Sequence, residues 1–215
     1  MNSVSTSGLI LRTRPLTETS LIVHWLTPAL GRVATVAKGA RRSNSPFRGK
    51  LDLFYEADFS FSRSRRSELH TLREVSLHHT HSRLREDLHA LQQVAYCTAL
   101  LEQTTETETP LPAIYALFQA LLAEVARGVT EARTVLAFEV KLLVELGQQP
   151  DAEEARLSPG SRQIYARLES EDWATLARLK LSSGQETELR QFLHGFLIYH
   201  LDRIPKGRGE ALQSA

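Results

Sequence analysis

A single cysteine, Cys97, stands in 215 residues, which excludes an intramolecular disulfide and any Cys-rich zinc site. No apolar run approaches the roughly 18 residues a membrane-spanning helix needs. The N-terminus, Met1-Asn2-Ser3-Val4-Ser5-Thr6-Ser7, has no basic stretch followed by an apolar core, so no secretion signal is expected and the chain reads as cytosolic. Catalytic patterns are missing too. Lys38-Gly39-Ala40-Arg41 lacks the Gly-Lys-Ser/Thr ending of a phosphate-binding loop, and there is no nucleophile elbow, no His-Glu-x-x-His and no acidic pair at a recognisable spacing. Cys97 lies among apolar neighbours in a predicted helix, a setting for an inert thiol. The expectation is a protein without enzymatic activity, cofactor or metal. Carboxylates are absent from one stretch in particular: between Arg32 and Lys50 there are six cations and no acid. Such a loop suits a polyanion better than a small neutral substrate.

The net charge of +1 conceals an asymmetry. Residues 1–80 hold 12 Lys and Arg against 6 Asp and Glu, whereas residues 81–215 hold 14 against 19. A basic first part and an acidic second part point to two units with different partners. The 42% apolar fraction is ordinary for a chain that buries a core.

Residues 1–80 read as strands. Gly8–Arg14, Ser20–Leu26 and Arg32–Lys38 are β-rich and end in turn residues, Pro28 and Gly31 among them. Leu51, Leu53, Tyr55, Ala57, Phe59 and Phe61 alternate with Asp52, Glu56, Asp58, Ser60 and Ser62, a half-buried strand interrupted in its polar set by Phe54. Glu68–Leu77 makes a fifth strand. Five short strands suit a small closed barrel of the OB type, with an SH3-like barrel or a small sandwich giving a similar pattern. From about Ser82 the period becomes helical. Leu84, Leu88, Leu91 and Ala95 form one stripe, and Ile114, Leu117, Phe118, Leu121, Leu122 and Val125 form another. Thr109 before Pro110 is the expected cap of that second helix, and Gly128 its end. Residues 135–146, apolar nearly all round and closed by Gly147, belong at the centre of a bundle. Asp151–Gly160 reads as a loop, and a last long helix starts at a capping box of Ser183 and Glu186 and stops at Pro205–Gly209. The expected class is α+β: an OB-type barrel over 1–80, then an all-helical domain over 81–215.

Lys38, Arg41, Arg42, Arg48 and Lys50 flank the loop after the third strand, and Arg63, Arg65 and Arg66 sit in the turn after the fourth. In a small barrel two such loops can rim one groove that tracks a phosphate backbone, the alternative being merely solvated loops. Contact with about five phosphates of a single strand would give a log–log salt slope of about −3 to −4. Outward Asp52, Glu56 and Asp58 would repel phosphate, so the track is expected along the loops. Stacking partners are the second need of a single strand. Phe47 lies near the basic loop and Phe54 points away from its strand's apolar set, whereas Trp25 shares a face with Leu21 and Val23 and reads as core. His78, His79, His81 and His89 lack the spacing of a metal site and read as surface, and His194 and His200 as packing on the last helix.

Arg14-Pro15-Leu16-Thr17-Glu18-Thr19-Ser20-Leu21, then Gly31-Arg32-Val33 and Val36-Ala37-Lys38-Gly39-Ala40-Arg41, resemble the N-terminal signature of bacterial RecO recombination mediators. Phe138-Glu139 through Leu146-Gly147 is similar to that family's Phe-Glu-x-x-Leu-Leu…Leu-Gly helix, and Phe192-Leu193, Tyr199-His200-Leu201 and Arg208 continue the likeness. The resemblance implies an OB domain before a helical domain, binding to single- and double-stranded DNA, and annealing of complementary strands. It implies work alongside RecR and single-stranded-DNA-binding protein, indirect help to RecA loading at gaps, and a cytoplasmic, nucleoid-associated setting. Lys38, Arg41 and Arg42 match the family's loop, and Lys206 and Arg208 stand where the family often has a basic C-terminal stretch. The four-Cys zinc module that many RecO proteins carry after the Leu-Gly helix is missing, since residues 148–160 hold no cysteine. For the acidic, Phe-ending tail of single-stranded-DNA-binding protein an apolar groove with a cationic rim is needed, with Arg133, Lys141 or Arg178 as candidate edges. An RNA-binding OB protein and a structural adaptor are the competing readings.

Overall fold

The computed structural model describes residues 3–150 and 157–213. Among these, two compact units form: residues 1–81 with 105–116, and residues 82–104 with 117–215. The expected division near residue 80 thus misses a segment, 105–116, that returns to the first unit.

The first unit is built on five strands: β1 (Ser3–Pro15), β2 (Leu21–Thr27), β3 (Gly31–Ala37), β4 (Glu56–Ser62) and β5 (Leu69–His79). They close into a barrel in the order β1-β2-β3-β5-β4, the OB-type architecture expected. Alternation sets its inside. Val23, Trp25, Val33, Ala37, Ala57, Phe59 and Phe61 all face the core. Trp25 is fully buried, stacks on Phe59 at 3.9 Å and donates its indole N–H to Thr35 Oγ1 at 2.9 Å, which satisfies the one polar atom it brings inside.

The alternating run of residues 51–62 forms a strand only in its second half, from Glu56. Ahead of it the chain turns, Leu53 is exposed, and Phe54 adopts a left-handed φ of 63°. That backbone turns the Phe54 ring inward, where it is buried, so Phe54 is not an exposed stacking platform. The return segment is held at Gly31, whose φ of +66° and whose contact with the Thr109 backbone leave no room for a Cβ. Glu108 N–H donates to Arg32 O at 2.8 Å, and the Glu108 carboxylate lies 2.6 Å from His70 Nε2.

The second unit contains α1 (Leu88–Thr104, after a 3-10 turn at Ser82–Arg85), the greater part of α2 (Pro112–Ala126), α3 (Ala132–Glu145), α4 (Pro159–Ser170), α5 (Trp173–Leu176), α6 (Ser183–Leu201) and α7 (Arg208–Ala211). α3 is buried nearly all round, as its composition requires. The expected stripe holds only in part: Leu84, just ahead of α1, is buried and Leu91 half-buried, but Leu88 and Ala95 are exposed, and Ala90, Val94, Cys97 and Leu101 lie on the buried face of α1. α2 begins at Pro112 rather than Pro110, with Ile114, Leu117, Phe118, Leu121, Leu122 and Val125 buried. The expected 151–160 loop gives way to helix α4 at Pro159. Residues 151–156 lie outside the described residues, while Ser158 caps α4 through the Ser161 N–H and Pro159 occupies its first turn. The capping box of α6 is Ser182 with Gln185, one residue earlier than expected.

Candidate nucleic-acid interface

Loop 38–50 is a chain of tight turns rather than a free arm. Ala40 N–H donates to Ala37 O, Arg42 N–H to Gly39 O, Ser45 N–H to Arg42 O and Lys50 N–H to Phe47 O. Arg41 N–H donates to Thr19 O at 3.0 Å, which ties the loop to the β1–β2 turn. Its anchor is Phe47, buried in the barrel core, so the second proposed stacking ring is also unavailable to bases. An apolar ring in a polar loop packs inward because burying it stabilises the loop by about 2 kcal/mol.

This anchored loop brings Arg41, Arg42 and Arg48 onto one cleft of about 310 Å³, lined also by Leu21 and Leu51 and by no carboxylate. All three are exposed, and two of them reach carbonyls: Arg41 Nη1 donates to Thr17 O and Arg48 Nη1 to Ser43 O, each at 3.3 Å. Carbonyls orient a guanidinium without cancelling its charge. Lys38 is exposed at the start of the loop. Lys50 turns away from the cleft, its Nζ donating to Val75 O at 3.2 Å.

Arg63, Arg65 and Arg66 do not join this cluster. β3 and β5 run parallel with Ala34 opposite Leu69, so the turn before Leu69 lies where β3 begins, and loop 38–50 leaves where β3 ends. From Ala34 to its end at Ala37 the strand advances about 10 Å, and the turn lies beyond Leu69 on the far side of that step, so the two sit apart along β3. A single rim formed by both loops is therefore not the arrangement. Arg63 also has a carboxylate neighbour, Glu108, at 3.9 Å.

Arg208, expected on a basic C-terminal stretch, is not at the surface. It is buried, and its Nε and Nη2 hold both oxygens of the buried Glu139 carboxylate at 2.7 and 2.8 Å. Tyr96 Oη donates to the same carboxylate at 2.5 Å. Burial opposes the Arg208 charge, but the bonds and charge of Glu139 more than offset it and its pKa is raised. Arg208 fixes α7 to the bundle and offers nothing to DNA. Lys206 stays exposed in the helical unit.

Arg12 and Arg14 were overlooked as site residues. Both are exposed, two apart on β1, and Arg14 stands beside the β1–β2 turn that carries the loop. Alternation along the strand was the available signal. Opposite Arg12 on β2, the half-buried His24 has a pKa lowered to about 4, by burial first and then by Arg12, Arg14 and Arg32. Among the described residues its Nε2 has no hydrogen-bond partner, and no group of His, Cys, Asp and Glu fit to hold a metal ion occurs.

Residues 1–81 match the family model described as Recombination protein O N terminal, and residues 85–155 match Recombination protein O C terminal. The chain belongs to the RecO family. Among its relatives, a DNA repair protein RecO of Bacillus pumilus is 30% identical over 151 residues, covering 70% of this chain and 58% of that protein. The RecO of Rhodopirellula baltica is 31% identical over 143 residues, 66% of this chain and 53% of its own length. The RecO of Alkaliphilus metalliredigens is 24% identical over 235 residues, spanning 94% and 95% of the two chains. The chain thus spans little more than half of some RecO relatives and nearly all of another. The RecO_N match coincides with the barrel strands and the basic loop. No helix among the described residues is long and apolar enough to cross a membrane.

Proposed function

We propose that this chain binds DNA through the cleft of loop 38–50 and anneals complementary strands in recombinational repair, without catalysing a reaction. The observation that carries this reading is the convergence of Arg41, Arg42 and Arg48 on a cleft without a carboxylate. Guanidinium groups that release condensed counterions from phosphate gain affinity from any sequence. Two backbones neutralised at once repel each other less and leave their bases free to pair. Lys38, Arg12 and Arg14 extend the field around the cleft. The names of the relatives support a repair role.

The partners proposed are those of the family: RecR, single-stranded-DNA-binding protein and, through them, RecA. For the acidic tail of single-stranded-DNA-binding protein, a groove of about 530 Å³ in the helical unit offers Arg167, Arg178 and Lys180 around Ile164 and Leu179. Of the residues first considered for its edge only Arg178 qualifies. Arg133 donates to the carbonyls of Ala177 and Leu179, and Lys141 to those of Glu169 and Glu171.

Annealing of two labelled complementary oligonucleotides, followed by energy transfer, tests the reading. The wild type is expected to speed annealing, and the variant with Arg41, Arg42 and Arg48 all replaced by Ala to lose at least nine-tenths of that acceleration with circular dichroism unchanged. Equal acceleration by the variant rejects the cleft, and equal acceleration with RNA strands favours the RNA-binding reading.

A further inference from the structure

On α6 only Leu189, Leu193 and Leu197 are buried. A second stripe, Phe192, Gly195, Phe196 and Tyr199, follows the i, i+3, i+4, i+7 spacing of one helix face and is only partly covered. Phe192 and Phe196 are half-buried, and Tyr199 is 83% exposed. The stripe is aromatic at both ends: Phe192 stands edge-on to Tyr165 with ring centres 5.8 Å apart, and Phe196 and Tyr199 lie 4.2 and 5.1 Å from the His200 ring. At its middle is a gap, because a Cβ on Gly195 would meet no atom within 4 Å. Charge is divided along the same helix. Glu186 and Glu188 lie in its N-terminal half, where the hydroxyls of Ser161 and Ser158 hold the Glu188 carboxyl below its usual pKa. Arg203 and Lys206 are exposed just past its C-terminal end.

An exposed aromatic stripe is a poor solvent face and a good contact face. This one is complementary to itself. With a second α6 laid antiparallel about a two-fold axis between residues 195 and 196, each Phe196 faces the gap at the other copy's Gly195, and each Phe192 faces a Tyr199. The same turn brings Glu188 towards Arg203 and sets the two helix dipoles antiparallel. We infer that the chain pairs with a second copy of itself, antiparallel, through this stripe of α6. A ring entering a glycine gap gives the alternation of large and small residues that lets two helices interdigitate. Opposite charges then meet on both sides of the axis. A protein of other sequence would have to supply the same order of sizes and charges, and a second copy already has it. The pairing stands apart from the DNA-binding reading. Each copy carries one arginine cleft, so the pair carries two.

Sedimentation of the full chain without DNA tests this. The wild type is expected to form dimers below about 100 µM. Gly195→Gln closes the gap and suits a helix better than glycine, so it is expected to weaken pairing at least tenfold without lowering the unfolding temperature. Tyr199→Glu, at an exposed position, is expected to weaken pairing as much with circular dichroism unchanged, and Tyr199→Phe to pair as the wild type does. For the register, a chain carrying Phe192→Cys and another carrying Tyr199→Cys, mixed and oxidised, should cross-link to each other rather than each to itself, the native Cys97 being buried. A wild type that stays monomeric to about 100 µM, leaving the stripe to a different protein, overturns the inference. So does pairing within twofold of wild type in Gly195→Gln or Tyr199→Glu, or a Cys variant that links chiefly to itself.

Discussion

Loop 38–50 of the barrel unit and the buried Glu139 of the helical unit put arginines to opposite work, although the sequence writes them alike. In the barrel unit Arg41, Arg42 and Arg48 crowd one exposed cleft, where Arg41 and Arg48 donate to carbonyls. In the helical unit Arg208 is buried against Glu139, and Arg133 is spent on the carbonyls of residues 177 and 179. A guanidinium facing water keeps its charge available to a phosphate. One sunk beside a carboxylate serves only the fold. Which work an arginine does depends on its partner, and the partner of Arg208 lies 69 residues away.

The comparison breaks first, and hardest, at Arg208. Arg208→Ala leaves a buried carboxylate unpaired and is expected to destabilise the protein by about 3–5 kcal/mol in urea unfolding. DNA affinity measured below the midpoint should stay near wild type; a normal midpoint with weakened DNA binding would return Arg208 to the interface. Gly31→Ala comes next. The left-handed φ and the Thr109 backbone both oppose a Cβ, and a loss of roughly 1–3 kcal/mol is expected. An unchanged unfolding temperature would mean that segment 105–116 does not pack there.

Acid should expose the cationic surroundings of His24. Its pKa is about 4 in the fold and about 6.5 in the unfolded chain. The unfolded state therefore binds more protons between these values, so stability is full above about pH 6.5 and falls as pH drops towards 4. A discount for partial exposure leaves a loss on the order of 2 kcal/mol. His24→Gln should flatten the stability profile in that window, and a profile as steep as wild type would assign the acid sensitivity elsewhere. The smallest effect is expected at the far end of the barrel. Replacing Arg63, Arg65 and Arg66 with Ala should change single-strand affinity by less than about twofold, or 0.4 kcal/mol. A loss equal to that of the loop arginines would show that distance along β3 does not divide the cations.

The barrel was legible because strand alternation is a local property: Ala57, Phe59 and Phe61 announce their inward face wherever the strand sits. The loop cations were legible for a similar reason, since a stretch without a carboxylate cannot pair with itself. What escaped depended on long-range placement. Phe54 broke the alternation because the strand had not yet begun, and its positive φ leaves no trace in a window of neighbours. Phe47 looked like a ring beside a basic loop and is the loop's anchor. The parallel β3–β5 pairing, which sends the two basic turns to opposite ends, is a fact of topology. The docking of segment 105–116 likewise exists only once the barrel has closed.

A salt series of single-strand binding by the wild type, the loop variant (Arg41, Arg42 and Arg48 to Ala) and the turn variant (Arg63, Arg65 and Arg66 to Ala) tests the central claim most directly. Loss of three phosphate contacts should make the log–log slope of the loop variant shallower by about 2, while the turn variant keeps the wild-type slope. Parallel lines for wild type and loop variant would contradict the claim that this cleft meets the phosphate backbone.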